Sequence, residues 1–448
     1  MTPTIERSFF GMIIAATLFF YAGAAQSGGF QVTELSPRLQ GQRNAGAAAS
    51  ADTAATIHVN PAGLTYLPGQ QAEIAAHVII PKFDFDDSGS TNGIGGQPIG
   101  DTHEDGGEIA FVPNLYYSYQ LSEQLTFGFG ITAPYGLVTE YDKDWIGRYN
   151  AVKSDLLTLD FNPVLAYKIN DQLSVGAGVS IQYIDVQLTN ALDFGTIGFL
   201  LGAPGITPST PAFDGFNDLK GDDISFGFNL GILYELSPVT RVGLAYRSEI
   251  EHTLDGDADI TIPDAITALT GQASARRGAK ADATMPATAT IGIYHQFSPQ
   301  WAVLSGATWT DWSTFDELRI EFEDGGPDAV QPENWEDSWR VSVGVNYFYS
   351  PEWTLRAGVE FDETPVKNEL TPRVPDEDRY WFAFGASYRH SDNLTFDFAY
   401  TFLYVPDYSI EDTEVTTAGL TGLPVGNTLD GEYEANAHIL SAQLQWKF

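Results

Sequence analysis

The side chains best suited to chemistry in this chain are its acidic runs, its seven histidines and a small set of arginines. Asp255-Gly256-Asp257-Ala258-Asp259 opens like a calcium loop, with carboxylates at alternate positions. Such a loop needs glycine at its sixth position for the sharp turn and a bidentate glutamate at its twelfth. Ile260 and Ile266 stand there, so no metal site is expected. There is no HExxH, GxSxG or P-loop pattern, and Gly93-Ile94-Gly95-Gly96 lacks the strand and helix that frame a phosphate cradle. Neither catalysis nor a cofactor is expected. The arginines are more informative, because a guanidinium grips a carboxylate through paired N–H groups. Arg247, Arg340 and Arg356 follow or precede Tyr246, Val341 and Leu355, so strand alternation puts cations and apolar residues on opposite faces. Arg241 shares the face of Arg247, and Arg148 sits near a long connection. Each such arginine is equally suited to an acid on its own face, as Glu360 is to Arg356. Apolar candidates are Phe30 and the unusually greasy loop residues Phe194, Ile197, Phe199, Leu200 and Leu201.

The elements that position these residues are strands. Leu125, Phe127, Phe129, Ile131 and Tyr135 fall on one face, with Thr126, Gly128, Gly130 and Thr132 on the other. The same period of two recurs from Ile224 to Tyr234, from Tyr380 to Tyr388 and from Leu394 to Phe402. Short turns occur at Ser122-Glu123-Gln124, Asn170-Asp171-Gln172, Ser237-Pro238, Ser298-Pro299-Gln300, Ser350-Pro351-Glu352 and Ser391-Asp392-Asn393. These six alternate with seven long polar connections, which counts out about fourteen strands over residues 70–448. Short turns on one side and long loops on the other describe an all-β, antiparallel transmembrane barrel. Closure is required, because lipid offers no partner to an open strand edge.

Residues 28–69 break the pattern. They are rich in Ala, Gly, Ser and Asn, and include Asn60-Pro61-Ala62-Gly63-Leu64. Small residues and turn formers suit a segment folded tightly in a confined space. A fourteen-stranded lumen is wider than side chains can fill, so this segment is expected to be a plug, or hatch. Residues 1–27 read as a secretory signal: Arg7, the apolar run Phe9 to Tyr21, then small residues, with cleavage expected after Ser27. No later run is long and apolar enough for a transmembrane helix.

The formal net charge of −37 excludes nucleic-acid binding, since phosphate would be repelled. The acidic loops, such as Asp84 to Asp87 and Asp101 to Glu108, suit solubility, or divalent cations shared with outer-membrane lipopolysaccharide. With no cysteine, stability must come from the hydrogen-bonded framework.

The residues Gly28-Gly29-Phe30-Gln31 and Asn60-Pro61-Ala62-Gly63-Leu64 are joined by Ala133-Pro134-Tyr135-Gly136-Leu137, Trp145-Ile146-Gly147-Arg148-Tyr149 and Pro163-Val164-Leu165-Ala166-Tyr167-Lys168. In these the chain resembles the FadL/TodX-type outer-membrane transporters of fatty acids and other hydrophobic compounds. The resemblance covers essentially the whole mature chain. It implies a fourteen-stranded barrel in a Gram-negative outer membrane, closed by a hatch that includes Phe30, Asn60, Pro61, Ala62 and Gly63. It implies passive capture of a hydrophobic small molecule by outer loops and sideways release through a gap beside a kinked third strand. Terminal Phe448 resembles the aromatic end that such barrels present to their assembly machinery. An inward arginine would suit a fatty-acid carboxylate, and Arg148 would meet a head group early. Aromatic or alkane hydrocarbons want the same greasy walls, so substrate stays open. Two competing functions are an aqueous porin, which needs an unobstructed lumen, and a surface adhesin acting through the long acidic loops. A monomer is expected.

Independently of the resemblance, Pro113 on the second strand and Pro134 on the third are nearly equidistant from the turn at Glu123. Proline cannot donate to a ladder, so two at one height, with Gly128 and Gly130 nearby, predict a local break in the wall.

Overall fold

The computed structural model describes residues 28–271, 273–367, 369–417 and 424–448. The expected signal sequence, 1–27, lies outside the described residues. The first half of the barrel consists of β1 (Gln70–Asp87), β2 (Ala110–Gln120), β3 (Leu125–Thr132), β4 (Lys153–Lys168), β5 (Leu173–Leu192), β6 (Gly215–Ser237) and β7 (Thr240–Arg247). The second consists of β8 (Thr288–Ser298), β9 (Trp301–Thr310), β10 (Ser338–Phe348), β11 (Trp353–Asp362), β12 (Arg379–Arg389), β13 (Leu394–Tyr404) and β14 (Pro424–Lys447). These fourteen, counted among the described residues, pair antiparallel in chain order, and β14 returns to β1 from Gln71↔Lys447 to Asp87↔Gly431. No edge is left open by that return. Ladder segments at 250–261, 275–285, 317–322 and 408–417 extend the wall beyond the membrane-facing band.

Alternation sorts the two faces as the sequence predicts. On β6, Ile224, Phe226, Phe228, Leu230, Ile232 and Tyr234 are all exposed, as lipid-facing residues of a barrel must be. Tyr380, Phe382 and Phe384 do the same on β12. Trp301 stacks on Tyr347 with ring centroids 4.4 Å apart, and Trp353 lies 4.8 Å from Tyr388, near the short-turn ends where an interfacial girdle belongs.

The hatch fills the lumen. Three one-turn helices, α1 (Pro37–Gln40), α2 (Ala47–Ser50) and α3 (Thr56–Val59), precede a 3-10 turn at Pro61–Tyr66. Arg43, Asn44, Gly46 and Ala51 all take left-handed φ near +50° to +60°, the tight turning that confinement demands. Asn60 caps the 3-10 turn through Ala62 N, and its amide reaches the carbonyls of Ala48 (2.6 Å) and Ile232 (3.1 Å). Wall glycines let the hatch backbone come this close. A Cβ on Gly243 would stand 1.8 Å from the Ala48 oxygen, and one on Gly231 2.0 Å from Asn60 Oδ1.

Two buried arginines then tie the hatch to the wall. Arg38 forms an ion pair with Asp397 at 2.9 Å. Arg43 lies 3.0 Å from Glu360 and 3.3 Å from Glu34, with its guanidinium 3.7 Å above the Trp381 ring. Glu73 adds hydrogen bonds from Thr53, Ala54 N, Gln443 and Gln445. Buried charges so thoroughly paired fix one arrangement of plug and wall, because losing either partner strands the other.

Candidate functional site

The wall is interrupted where β2 meets β3. Their ladder runs from Gln120↔Thr126 to Leu115↔Ile131 and stops, while β2 continues to pair with β1 as far as Ala110. Two rungs further on, Pro113 would face Ala133, next to Pro134. Beyond that proline the chain resumes at Gly136–Glu140, which pairs with β4 only, apart from one bridge from Thr139 to Gly107. The partner of Thr132 on β4 is Asp160 and that of Gly136 is Leu157, so β3 carries one extra residue here, a bulge. The freed backbone turns to the hatch instead: Val32 N donates to Pro134 O (2.8 Å) and Gly136 N to Phe30 O (2.9 Å).

The bulge corrects one expectation. Tyr135 does not share the lipid face of Leu125; the extra residue flips its side chain inward, where it is 6% exposed. Gly128 and Gly130 also differ from expectation. Both sit in unbroken ladders on both sides, below the interruption. They make room for the hatch, since Cβ atoms there would press on Ile57 and Leu64.

Tyr135 joins a cluster of rings around Phe30. Centroids of Trp312, Trp335, Phe315 and Tyr135 lie 4.8, 5.5, 5.7 and 6.2 Å from that of Phe30. Met285, Ile250, Leu254 and Ile184 complete the apolar surface. Below it, a lumen cavity is lined by Gln31, His58, Thr288, Arg247 and Arg340, and an adjoining space reaches Pro134 and Tyr135. Above it, a smaller apolar hollow is lined by Val186, Leu188, Leu219, Leu318 and Ile320. Apolar surface thus lies on the outer side of the ring cluster, interrupted by buried charges such as Glu333, and the cavity below it is polar.

The arginines divide on inspection of their partners. Arg247 points inward as expected and pairs with Asp160, with further bonds to Ser180 (2.6 Å) and His58 O (3.2 Å). Arg340 is half-buried and lines the cavity. Arg356 does not pair with Glu360, which is taken by Arg43; it bonds Ser387 and lies 3.7 Å from Asp52 of the hatch. Arg241 donates to Ser50 O at 2.7 Å and lies between the rings of Tyr66 and Tyr294. Arg148 corrects the sequence reading most clearly. It is wholly buried, and its donors go to Asp214, Ile99 O, Trp145 O, Tyr149 Oη and Ser209 O. With five N–H groups and five acceptors it is a clamp for the outer loops, with no donor left for a head group. Burial pushes the Asp214 carboxyl up to about 6, outweighing the pull of Arg148 beside it.

The loop patch splits in two. Residues Phe194–Leu200 form α4, which packs near α5 (Asp264–Thr270). Phe194 and Ile197 are buried against Ile266 and Val425 as a loop core, whereas Phe199, Leu200 and Leu201 stay exposed. Sequence reading missed Trp312, Phe315 and Trp335. Their signal was available: large rings inside long polar connections need somewhere to be buried. It also missed Arg38 and Arg43, cations in an otherwise small-residue segment. Glu333, bonded to Trp335 Nε1 at 3.2 Å, is pushed up to about 8 by burial. No metal-ligand cluster and no membrane-spanning helix occurs among the described residues.

The family described as "Outer membrane protein transport protein (OMPP1/FadL/TodX)" matches residues 18–448. The long-chain fatty acid transport protein of Escherichia coli O6:H1 is 30% identical, over 87% of this chain and 90% of its own. Outer membrane protein P1 of Haemophilus influenzae is 28% identical, over 99% and 100%. Among solved structures, a Pseudomonas aeruginosa FadL homologue superposes with a TM-score of 0.84 at 24% identity, covering 94% of this chain and 100% of that one. The toluene transporter TodX of P. putida gives 0.64 at 20%, covering 88% and 94%. Fold, span and family match together make this chain a Gram-negative outer-membrane protein of the OMPP1/FadL/TodX transport family.

Proposed function

We propose that this protein passively carries long-chain fatty acids inward and releases them sideways into the membrane, without catalysing any reaction. The observation that carries the reading is the interrupted ladder at Leu115↔Ile131, adjoined by a lumen space that reaches Pro134 and Tyr135. In this scheme Pro113 and Pro134 flank the lateral opening. Phe199, Leu200 and Leu201 capture the alkyl chain, which passes along the apolar hollow to the rings around Phe30. Burying an alkyl chain at roughly 25 cal/mol per Å² supplies the affinity without an energy source. Arg247 and Arg340 offer the carboxylate a cationic floor, Arg247 by sharing itself with Asp160. Arg148 and Arg356 hold structure. The ion-paired hatch of residues 28–69 argues against an aqueous porin, since it fills the lumen that water would need.

A second reading is supported by the ring cluster, which would suit an aromatic hydrocarbon equally, and a toluene transporter shares the fold. The test is protein-dependent uptake of labelled oleate, with and without excess toluene. Uptake indifferent to toluene supports the fatty-acid route, and suppression by toluene supports a shared hydrophobic one. No dependence on the protein would discard the fatty-acid claim. The protein is proposed to act as a monomer, to sit among lipopolysaccharide, and to present Phe448 to the barrel-assembly machinery.

A further inference from the structure

The wall panel from β3 to β6 has a second break, on its other edge. β6 pairs with β7 from Ser237↔Thr240 up to Asn229↔Arg247, and pairs with the segment at 250–261 only from Asp222↔Asp255 onward. From 229 to 222 β6 takes seven steps, while from 247 to 255 its partner takes eight. One residue is therefore extra, and Asp223 to Phe228 have no rung on this side. The flanking edges are intact: β6 stays laddered to β5, and Arg247 and Ile250 keep their partners Thr288 and Met285. At the lower end of the seam Ser248 N donates to Phe228 O at 2.9 Å, and Phe228 N donates to Ser248 Oγ at 2.9 Å. Alternation turns the N–H and C=O groups of Phe226 and Ile224 the same way, and no rung among the described residues receives them. Lipid offers such groups no partner, so the seam carries a cost in stability. Side chains fill it instead. Ile250 Cγ1 lies 2.7 Å from where a Cβ on Gly227 would sit, and His252 Nδ1 meets Asp223 Oδ2 at 2.9 Å.

The two breaks stand on one rung and open on one space. The last rung of β3, Thr132↔Asp160, continues through Asp160↔Gln182 to Gln182↔Ser225, inside the seam. The lumen space that reaches Pro134 and Tyr135 is also lined by Arg247, Ser248 and Ile250. Tyr135 Oη donates to Pro286 O at 3.0 Å, one residue from Met285, the partner of Ile250. Ile250 itself belongs to the apolar surface around Phe30. Outside, one lip of the seam is apolar: Ile224 and Phe226 are exposed at the end of β6 remote from its short turn, which is the outer leaflet. The other lip is acidic, with Glu249 and Glu251 exposed and Asp222 and Asp223 at the upper end. Arg247, at the lower end, is spent on Asp160. A carboxylate arriving from the lipid side is repelled by these acids, and an uncharged hydrocarbon is not. We propose that this seam is a second lateral portal, which admits uncharged hydrocarbons dissolved in the outer leaflet to the ring cluster without passage through the loops. Because no rung closes it, passage requires side chains to move and no ladder bond to break. The inference rests on the transport reading only in taking the ring cluster as a stop on the route.

The chain has no cysteine, so one pair of introduced thiols can close the seam reversibly. Gly227→Cys with Ile250→Cys suits the purpose. A Cβ on Gly227 lies 2.7 Å from Ile250 Cγ1, which brings the two Cβ atoms within the reach of about 3.5–4.5 Å that a disulfide spans. Cells carrying this variant are given labelled hexadecane or labelled palmitate, which share chain length and differ in the carboxylate. Uptake is measured after oxidation and again after reduction. Oxidation is expected to lower hexadecane uptake at least about tenfold and to leave palmitate uptake within about twofold, with reductant restoring the first. Heat-modifiable gel mobility checks folding in both states. Should the pair fail to fold, Ser225→Trp, which adds bulk to the inner lip, is scored against wild type in the same two assays. Hexadecane uptake that ignores the crosslink, or that does not depend on the protein, overturns the proposal. Equal loss of both substrates also overturns it, because the crosslink would then act on a shared route. Palmitate import beside crosslink-insensitive hexadecane uptake removes the portal and leaves the transport reading standing. Crosslink-sensitive hexadecane uptake without palmitate import does the reverse.

Discussion

The main-chain oxygen of Phe30 accepts a hydrogen bond from Gly136 N at 2.9 Å, so the hatch occupies part of the ladder position that β2 vacates. The same residue carries the ring at the centre of the aromatic cluster. One short segment therefore both plugs the lumen and takes up backbone groups that the interrupted wall leaves free.

That arrangement depends on the extra residue in β3. Deleting Ala133 and replacing Pro113 and Pro134 by valine removes the bulge and restores the missing donors, so the ladder can continue past Leu115↔Ile131. Uptake of labelled oleate is expected to fall at least about tenfold, a barrier change of about 1.4 kcal/mol, while heat-modifiable mobility is retained. Undiminished uptake would count against a sideways exit.

Wall glycines should matter in proportion to how close the hatch comes. Gly243→Ala puts a methyl against the Ala48 carbonyl and is expected to cost about 1–3 kcal/mol by overpacking. The barrel itself has no reason to unfold, so the hatch gives way. Planar-bilayer recordings should then show ion conductance in the variant and none in the wild type.

Trp312 packs against Phe30 and Trp335 and is wholly buried. Trp312→Ala is expected to destabilise this region by about 3–5 kcal/mol. Hydrogen exchange at residues 29–32 should quicken, with β6 unaffected. Equal protection in variant and wild type would mean that the rings do not hold the segment.

Glu333 gives the outer loop a pH dependence. Burial raises its carboxyl to about 8 from an ordinary value near 4.5, so between those values the folded loop binds a proton that the unfolded loop does not. Its ordering is therefore strongest at the acid end and is lost as pH rises through about 8. Exchange of residues 333–337, corrected for intrinsic rate, should accelerate from pH 6 to 8 in the wild type. In Glu333→Gln it should stay flat.

Removing Arg247 alone strands the buried Asp160, a loss of about 3–5 kcal/mol. The double variant Arg247→Met with Asp160→Leu should recover most of that stability, read as the denaturation midpoint. If Arg247 receives a carboxylate, oleate binding weakens in the double variant while toluene binding does not. Equal loss of both would assign the pair to structure alone.

Local rules were enough to read the barrel from the sequence. Period two in Ile224 to Tyr234 states which face meets lipid, and short turns against long loops state orientation, because strand geometry and lipid each impose a single answer. The small residues of the hatch and the two prolines were legible for the same reason: each limits what its own stretch of backbone can do. Partner choice was not legible. Nothing in the spacing of Arg356 and Glu360 tells that Arg43, more than 300 residues earlier, takes the glutamate, nor that Arg148 exhausts its donors on Asp214, Tyr149 and three loop carbonyls. Tyr135 shows the limit most sharply, since one bulged residue reverses a face that alternation had assigned. Charge pairing and ring packing are decided by what the closed barrel brings within a few ångströms, and only the tertiary structure contains those distances.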